Sequence, residues 1–319
     1  MCGRQPFGCL LLFYKERFFS LSIADFSFIC LNLQPRFWGG AGEACRSNVF
    51  NTNDKPMKIA IIGAGNMGGA IARGLAATAA SVDICVSNPS VGKLEALKQE
   101  FPALNITTDN CEAVCGADYV FLAVKPWKME EVIAQIKPSL CYGKQTIVSV
   151  AGGVGSAQID GWLTKEGEEL PPLYIIIPNT AIATGCSMTF VCGKRSLAAV
   201  DEKISQMFST MGEVMFVDEA LVGAGTALAS CGIAYALRYI RAACEGGVEL
   251  GFRAADAQKI VMQTLKGAVS VLAANGTHPE VEIDRVTTPG GLTIRGLNAM
   301  EEAGFTASVI EGLRASVKK

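Results

Sequence analysis

From residue 57 onward the chain alternates between two hydrophobic patterns. Short, mostly apolar runs occupy 58–62, 82–87, 119–124, 146–150 and 173–177, with Ile106 and Thr107 adding a shorter one. Runs of this length without alternation predict strands buried on both faces. Between them, apolar residues recur at helical spacing, as at Met67, Ala70, Ile71, Gly74 and Leu75, and again over 91–101. Strands that alternate with helices predict a parallel sheet covered by helices, an α/β fold of Rossmann type.

After about residue 218 the strand runs cease. Segments 221–250, 254–275, 293–302 and 305–317 all carry helical spacing. The first is small and apolar around its whole circumference, so it must be covered on every side. Residues 219–319 make too thin a layer to cover it, which predicts a partner chain, most simply a two-fold homodimer. The predicted organisation is therefore a dinucleotide-binding domain over 57–218 and a helical dimerisation domain over 219–319.

Residues 1–56 follow neither pattern. They hold eight of the fifteen Phe and four of the twelve Cys, and they end in the polar run Asn51-Thr-Asn-Asp-Lys-Pro56. The apolar stretch from Phe18 to Leu33 is interrupted by Asp25 and Asn32 and is short for a membrane span. No small-residue cleavage site follows it. The reading favoured is an upstream extension, poorly ordered or not made, with Met57 as the natural start. A targeting segment is the alternative.

Composition narrows the function. With 28 basic and 30 acidic residues the net charge is −2, which leaves no electrostatic footprint for nucleic acid. A single histidine, His278, excludes His-rich metal sites, and no metal is expected. Its place before Pro279 suggests an exposed loop residue. Cys111 and Cys115, four apart, are read as small buried hydrophobes, and all cysteines as reduced, in a cytoplasmic protein that uses no membrane.

The first strand runs straight into Gly63-Ala-Gly-Asn-Met-Gly68 and then a helix. In this strand–turn–helix setting the glycines point to a dinucleotide site, with the pyrophosphate on the helix N-terminus. Ile62, Gly63, Ala64, Gly65, Asn66, Met67 and Gly68 are the candidate contacts. The second strand ends in Ser87-Asn88-Pro89-Ser90, with no carboxylate to hold a ribose 2′-hydroxyl or repel a 2′-phosphate. NADP(H) is therefore expected, with NAD(H) admissible. Two further loops lie at strand ends. Ala123-Val124-Lys125-Pro126 offers a lysine in reach of ribose or phosphate, although a lone loop lysine is otherwise simply solvated. Val150-Ala151-Gly152 has small side chains that leave room for a flat ring.

These residues, with others, resemble the pyrroline-5-carboxylate reductases. The strongest match is Val286-Thr-Thr-Pro-Gly-Gly-Leu-Thr-Ile294. Ala123–Pro126, Pro178-Asn-Thr180, Thr226-Ala-Leu with Gly232-Ile-Ala-Tyr235, Gly246-Gly-Val with Gly251, and Asp109-Asn110 with Glu112 match as well. The resemblance runs from Met57 to about residue 317. It departs from the family at Thr288, Leu292, Ala181, Ile233 and Ile175, chiefly around 175–181.

The resemblance implies a Rossmann domain followed by a helical dimerisation domain like the C-terminal part of 6-phosphogluconate dehydrogenases. It implies reduction of 1-pyrroline-5-carboxylate to L-proline by NADPH or NADH, the last step of proline biosynthesis. It also implies homodimers, extended in many members to a ring of dimers, with the active site at the dimer interface. By match, Thr293 is the catalytic threonine, and Pro289, Gly290, Gly291, Leu292 and Glu219 belong to the substrate site. Asn88 and Asn110 fall near the adenosine end of the cofactor. The chemistry is consistent, because a protonated cyclic imine already accepts hydride and needs mainly to be held in place. The bland reading of Thr293 is a cap in a first helical turn. Rival readings are a reductase of another cyclic imine and a non-catalytic NADP-binding scaffold. A β-hydroxyacid dehydrogenase is disfavoured, since 221–250 holds no lysine.

Overall fold

The computed structural model describes residues 56–78 and 82–317. The expectation for the extension thus lies outside the described residues, save for Pro56. Eight strands form one sheet in the order β3-β2-β1-β4-β5-β6-β7-β8. They are β1 (Met57–Ile62), β2 (Val82–Ser87), β3 (Asn105–Thr107), β4 (Tyr119–Leu122), β5 (Thr146–Ser149), β6 (Leu173–Ile177), β7 (Ser187–Lys194) and β8 (Gly212–Phe216).

Neighbouring strands are parallel except at β6 and β7, which pair antiparallel. The parallel sheet expected from the sequence is present from β1 to β6, and β7, which the sequence reading did not place, adds the one antiparallel pairing. After the 3-10 turn Thr180–Thr184, Gly185 (φ 70°) and Cys186 reverse the chain into β7. That connection is far too short for a crossover helix, and only an antiparallel return can use it.

Alternate residues of β1 serve two cores. Ile59 and Ile61 pack with Ile71, Leu75, Phe121, Tyr174 and Phe208 on one face. Ala60 and Ile62 pack with Leu122, Met129, Ile133, Ile159 and Leu163 on the other. The covering helices are α1 (Asn66–Thr78), α2 (Val91–Glu100), α3 (Asn110–Val114), α4 (Met129–Ile136), α5 (Ser156–Leu163) and α6 (Ala198–Ser209).

From residue 219 the described chain is helical. One helix, α7 (Glu219–Glu249), is 31 residues long and contains a π segment at Thr226–Cys231. It is followed by α8 (Ala254–Asn275), α9 (Pro279–Arg285), α10 (Leu292–Glu302) and α11 (Phe305–Val317). The sequence reading missed α9. His278 proves to be its N-cap, with Nδ1 accepting the Glu280 N–H at 3.3 Å.

Cysteines also depart from expectation. Of the eight described, all unpaired, only Cys192 is buried; Cys115, Cys141 and Cys186 are exposed. Cys115 ends α3 as its C-cap, and Cys111 Sγ donates to the Gln135 carbonyl at 3.3 Å. The buried face of α3 is made by Ala113 and Val114, so the reading of the two cysteines as buried hydrophobes does not hold.

The helical part leaves its own apolar surface uncovered. Nineteen of the 24 large hydrophobic side chains exposed among the described residues lie between Leu221 and Val317. Helices α9, α10 and α11 have no buried residue, and α8 has only Ala257. By length and composition α7 is also the one described helix that could cross a membrane. Its apolar surface, like that of its neighbours, needs a covering surface from beyond the described residues.

Leu237 on α7 is 58% exposed in the protomer. Leu237→Glu is expected to abolish association, losing about 1.5–3 kcal/mol of burial per copy before the cost of the charge. Light scattering should give a mass of two or more chains for the wild type and a single-chain mass, or loss of soluble protein, for the variant. A wild-type mass of one chain would sink the idea.

Candidate active site

The cofactor loops converge where the chain changes direction across the sheet. Strand β1 lies between β2 and β4, so the loops after these three strands meet at one edge, the crevice where open α/β sheets bind ligands. Gly63 N–H donates to Ser87 O at 2.8 Å, and Ala123 N–H donates to Ile62 O at 2.9 Å. Val150 N–H donates to Leu122 O at 3.2 Å. These bonds bring Ile62, Gly63, Ser87, Ala123 and Val150 together.

The glycines explain the shape of the loop. Gly63 has φ 105°, and a Cβ there would stand 2.7 Å from Ala123 O. A Cβ on Gly68 would lie 2.0 Å from Gly63 O, so α1 can begin this close to the turn only with glycine. At Gly65 nothing stands within 4 Å of a would-be Cβ. The backbone there is open, beside the first N–H groups of α1, which is the cradle a pyrophosphate requires. The residues fit a dinucleotide. Asn66 is exposed and Met67 half-buried at the helix start, while Ala64 is buried beneath it.

Asn88, expected near the adenosine end of the cofactor, is bonded into the loop itself. It is only 9% exposed. Its Oδ1 accepts the Ala64 N–H at 3.1 Å, and its Nδ2 donates to Ser90 O at 3.1 Å. The side chain ties the glycine loop to the end of β2, with the second hydrogen of Nδ2 left over. Asn110, the first residue of α3, accepts from Ser87 Oγ at 2.7 Å and donates to Gln135 Oε1 at 2.8 Å. Lys125 and Pro126 are exposed at the end of β4, and Lys125 Nζ stands 6.0 Å from the Trp127 ring centroid. Ala151 is buried and Gly152 exposed after β5.

The second group of candidates lies on the helical part. Gly291 N–H donates to Thr288 O at 2.9 Å, closing a turn with Pro289 and Gly290 at its corners. Gly290 has φ 69°, so this is a type II turn, which needs glycine at that corner. A Cβ on Gly291 would strike Thr288 Oγ1 at 2.5 Å. Gly291 is the N-cap of α10 and supplies no side-chain hydrogen bond. Thr293 is therefore the second residue of the helix and not its cap. It is exposed, as is Leu292, at 86%. Among the described residues no hydrogen bond or ion pair joins α9 or α10 to the sheet.

Glu219, the remaining substrate-site candidate, meets the chain just beyond the Val150–Gly152 loop. One oxygen accepts the Ser156 N–H and the other accepts Ser156 Oγ, both at 2.6 Å. It thereby caps α5 and pins the start of α7 to the nucleotide-binding part. Helix α5 is itself anchored at Asp160, which receives Arg195 at 2.6 Å and Lys194 at 2.8 Å. Burial alone would raise the Asp160 pKa, but hydrogen bonds and charge from these two cations outweigh it and hold the carboxyl below its ordinary value.

Two further seam residues escaped the sequence reading of roles. Asn179 Nδ2 donates to Ala229 O at 3.4 Å, and Ser230 Oγ donates to Pro178 O at 3.2 Å. Both bonds reach the π segment, Ala229 O accepting in the first and Ser230 donating in the second. The adjacent Ile175, where the family has a common Arg, is buried with Ile177, Cys192 and Val222.

Comparison with known proteins adds to this geometry. The family model "NADP oxidoreductase coenzyme F420-dependent" matches residues 58–153, and "Pyrroline-5-carboxylate reductase dimerisation" matches 219–319. Pyrroline-5-carboxylate reductase 2 of Dictyostelium discoideum is 37% identical over 276 residues, covering 82% of this chain and 91% of its own. Pyrroline-5-carboxylate reductase 1 of the same organism is also 37% identical, but this chain spans only 49% of its length. The crystal structure of Plasmodium falciparum pyrroline carboxylate reductase with NADP bound superimposes with a TM-score of 0.73 at 25% identity, covering 82% of this chain and 96% of that one. A dinucleotide-binding half followed by a helical dimerisation half, with relatives that align across both, makes this chain a member of the pyrroline-5-carboxylate reductase family.

Proposed function

We propose that the protein reduces 1-pyrroline-5-carboxylate to L-proline with NADPH, NADH being an admissible donor, as the last step of proline biosynthesis in the cytoplasm. One observation carries the reading. The turn at Thr288–Gly291 presents an uncapped helix N-terminus and the Thr293 hydroxyl, neither with a partner among the described residues.

When bound, the dinucleotide supplies the hydride. The free N–H groups of Leu292, Thr293 and Ile294 hold the substrate carboxylate, aided by the helix dipole. The Thr293 hydroxyl then orients the ring nitrogen, and for an unprotonated imine it relays one proton from water to that nitrogen. Covering the site excludes bulk water and keeps the C=N carbon in line with the donor. We assign Gly63, Gly65 and Gly68 to the pyrophosphate, and Lys125 to the ribose–phosphate end. Val150–Gly152 borders the nicotinamide.

The exposure of α10 and its lack of bonds to the sheet support a site completed across a homodimer, Thr293 of one protomer serving the cofactor of the other. Assembly into a ring of dimers is the expected further level. The apolar surface of α7 is then an interface between chains, with no membrane involved. No feature of the site favours a different cyclic imine or a scaffold role.

Purified protein should oxidise NADPH on addition of 1-pyrroline-5-carboxylate, run beside an NADH control. A folded protein that binds NADPH yet leaves it unoxidised would refute the assignment. Thr293→Ala should lower kcat by about 10²-fold or more while NADPH affinity changes little. Mixed dimers of Thr293→Ala with a cofactor-dead Gly68→Val chain should recover about a quarter of wild-type activity, the statistical share of one intact site in half the dimers. No recovery in mixed dimers would place both halves of the site in one chain.

We propose that Glu219 positions α7 and does not bind substrate. Ser156→Ala and Glu219→Gln should each cost about 1–3 kcal/mol of stability, and the double variant no more than the larger of the two. Additive losses, or a raised KM confined to Glu219→Gln, would return Glu219 to the substrate site.

A further inference from the structure

We propose that Trp127 is the stacking platform for the adenine ring of the cofactor, a role that rests on the dinucleotide reading above and deepens it. Trp127 is 76% exposed, on the turn Pro126–Lys128 that follows the Ala123–Pro126 loop. Large aromatic side chains are seldom left this open without a use.

The turn beneath it is stiff. Pro126 fixes one side, Lys128 N–H donates to Lys125 O at 2.8 Å, and Met129 on the other side is fully buried in the core. A ring held on such a turn loses little freedom when a ligand stacks on it. It contributes no contact to either core, so its place in the fold is not a packing requirement.

Its position in the sheet decides the ligand. Trp127 follows β4, and Val91, 50% exposed, is the first residue after the β2 loop. Both strands pair with β1, so the two strand ends are about 10 Å apart, with the Gly63–Gly65 loop between them. The bonded pair Ser87 and Asn110 adds a polar rim on the β2 side. Lys125, whose Nζ lies 6.0 Å from the Trp127 centroid, adds a positive charge where the adenosine phosphates enter. A heteroaromatic ring carrying a phosphorylated ribose matches each of these features.

The test uses adenosine 2′,5′-bisphosphate, which carries the adenosine half alone, and reduced nicotinamide mononucleotide, which carries the other. By calorimetry, Trp127→Ala should bind the adenosine bisphosphate and NADPH about tenfold more weakly than the wild type, and Trp127→Phe within about threefold. Affinity for the nicotinamide mononucleotide should stay unchanged in both. Binding of the adenosine bisphosphate should quench tryptophan emission in the wild type, and the quench should vanish in Trp127→Phe although that variant still binds. Unchanged affinity of Trp127→Ala for the adenosine bisphosphate would overturn the proposal. So would an equal loss for the nicotinamide mononucleotide, or a change confined to the mass of the assembly, which would make Trp127 a contact between chains. A wild type that fails to bind the adenosine bisphosphate at all would remove the dinucleotide reading along with it.

Discussion

The structure depends on one constraint: the helices after residue 219 cannot bury their own apolar faces. A helix is stabilised in water mostly by what it packs against. Here α9, α10 and α11 have no buried residue inside the protomer. Their order has to come from a second surface. On the proposed function, placing the Thr288–Gly291 turn on this part makes the active site conditional on assembly. The nucleotide-binding part has no such need, because β1, β4, β5 and β6 are buried on both faces by its own helices.

The two parts are joined by polar bonds and one small apolar cluster. Glu219 on Ser156, Asn179 on Ala229 and Ser230 on Pro178 all meet at the first half of α7. The π segment lies under two of them. One helix thus serves two bodies: its first turns bond to the sheet part, and the rest project toward other helices.

Legibility in the sequence followed burial. Central strands such as 173–177 stood out because both faces are covered and the run is uniformly apolar. Strand β8 was missed because Glu213, Met215 and Phe216 are exposed at the sheet edge and leave no such run. Helix α3, five residues long, is too short to show a period. The glycine turn was legible because it needs particular residues at fixed spacing. The use of Asn88 was not, since a sequence displays an amide but not the bonds it already makes. Trp127 was overlooked for the opposite reason: an isolated aromatic outside any periodic run carries no pattern, and only its exposure sets it apart.

The 31-residue helix α7 also has a consequence for abundance. A chain whose fold is completed by its own kind follows mass action, so its apparent melting temperature rises with protomer concentration. Newly made chains carry this apolar helix uncovered until they meet a second copy, and during that interval they are substrates for chaperones and for aggregation. Dilution therefore acts on this protein as a mild denaturant would. With the site shared between two chains, as proposed, the supply of chains sets the specific activity of each one as well as the number of catalysts.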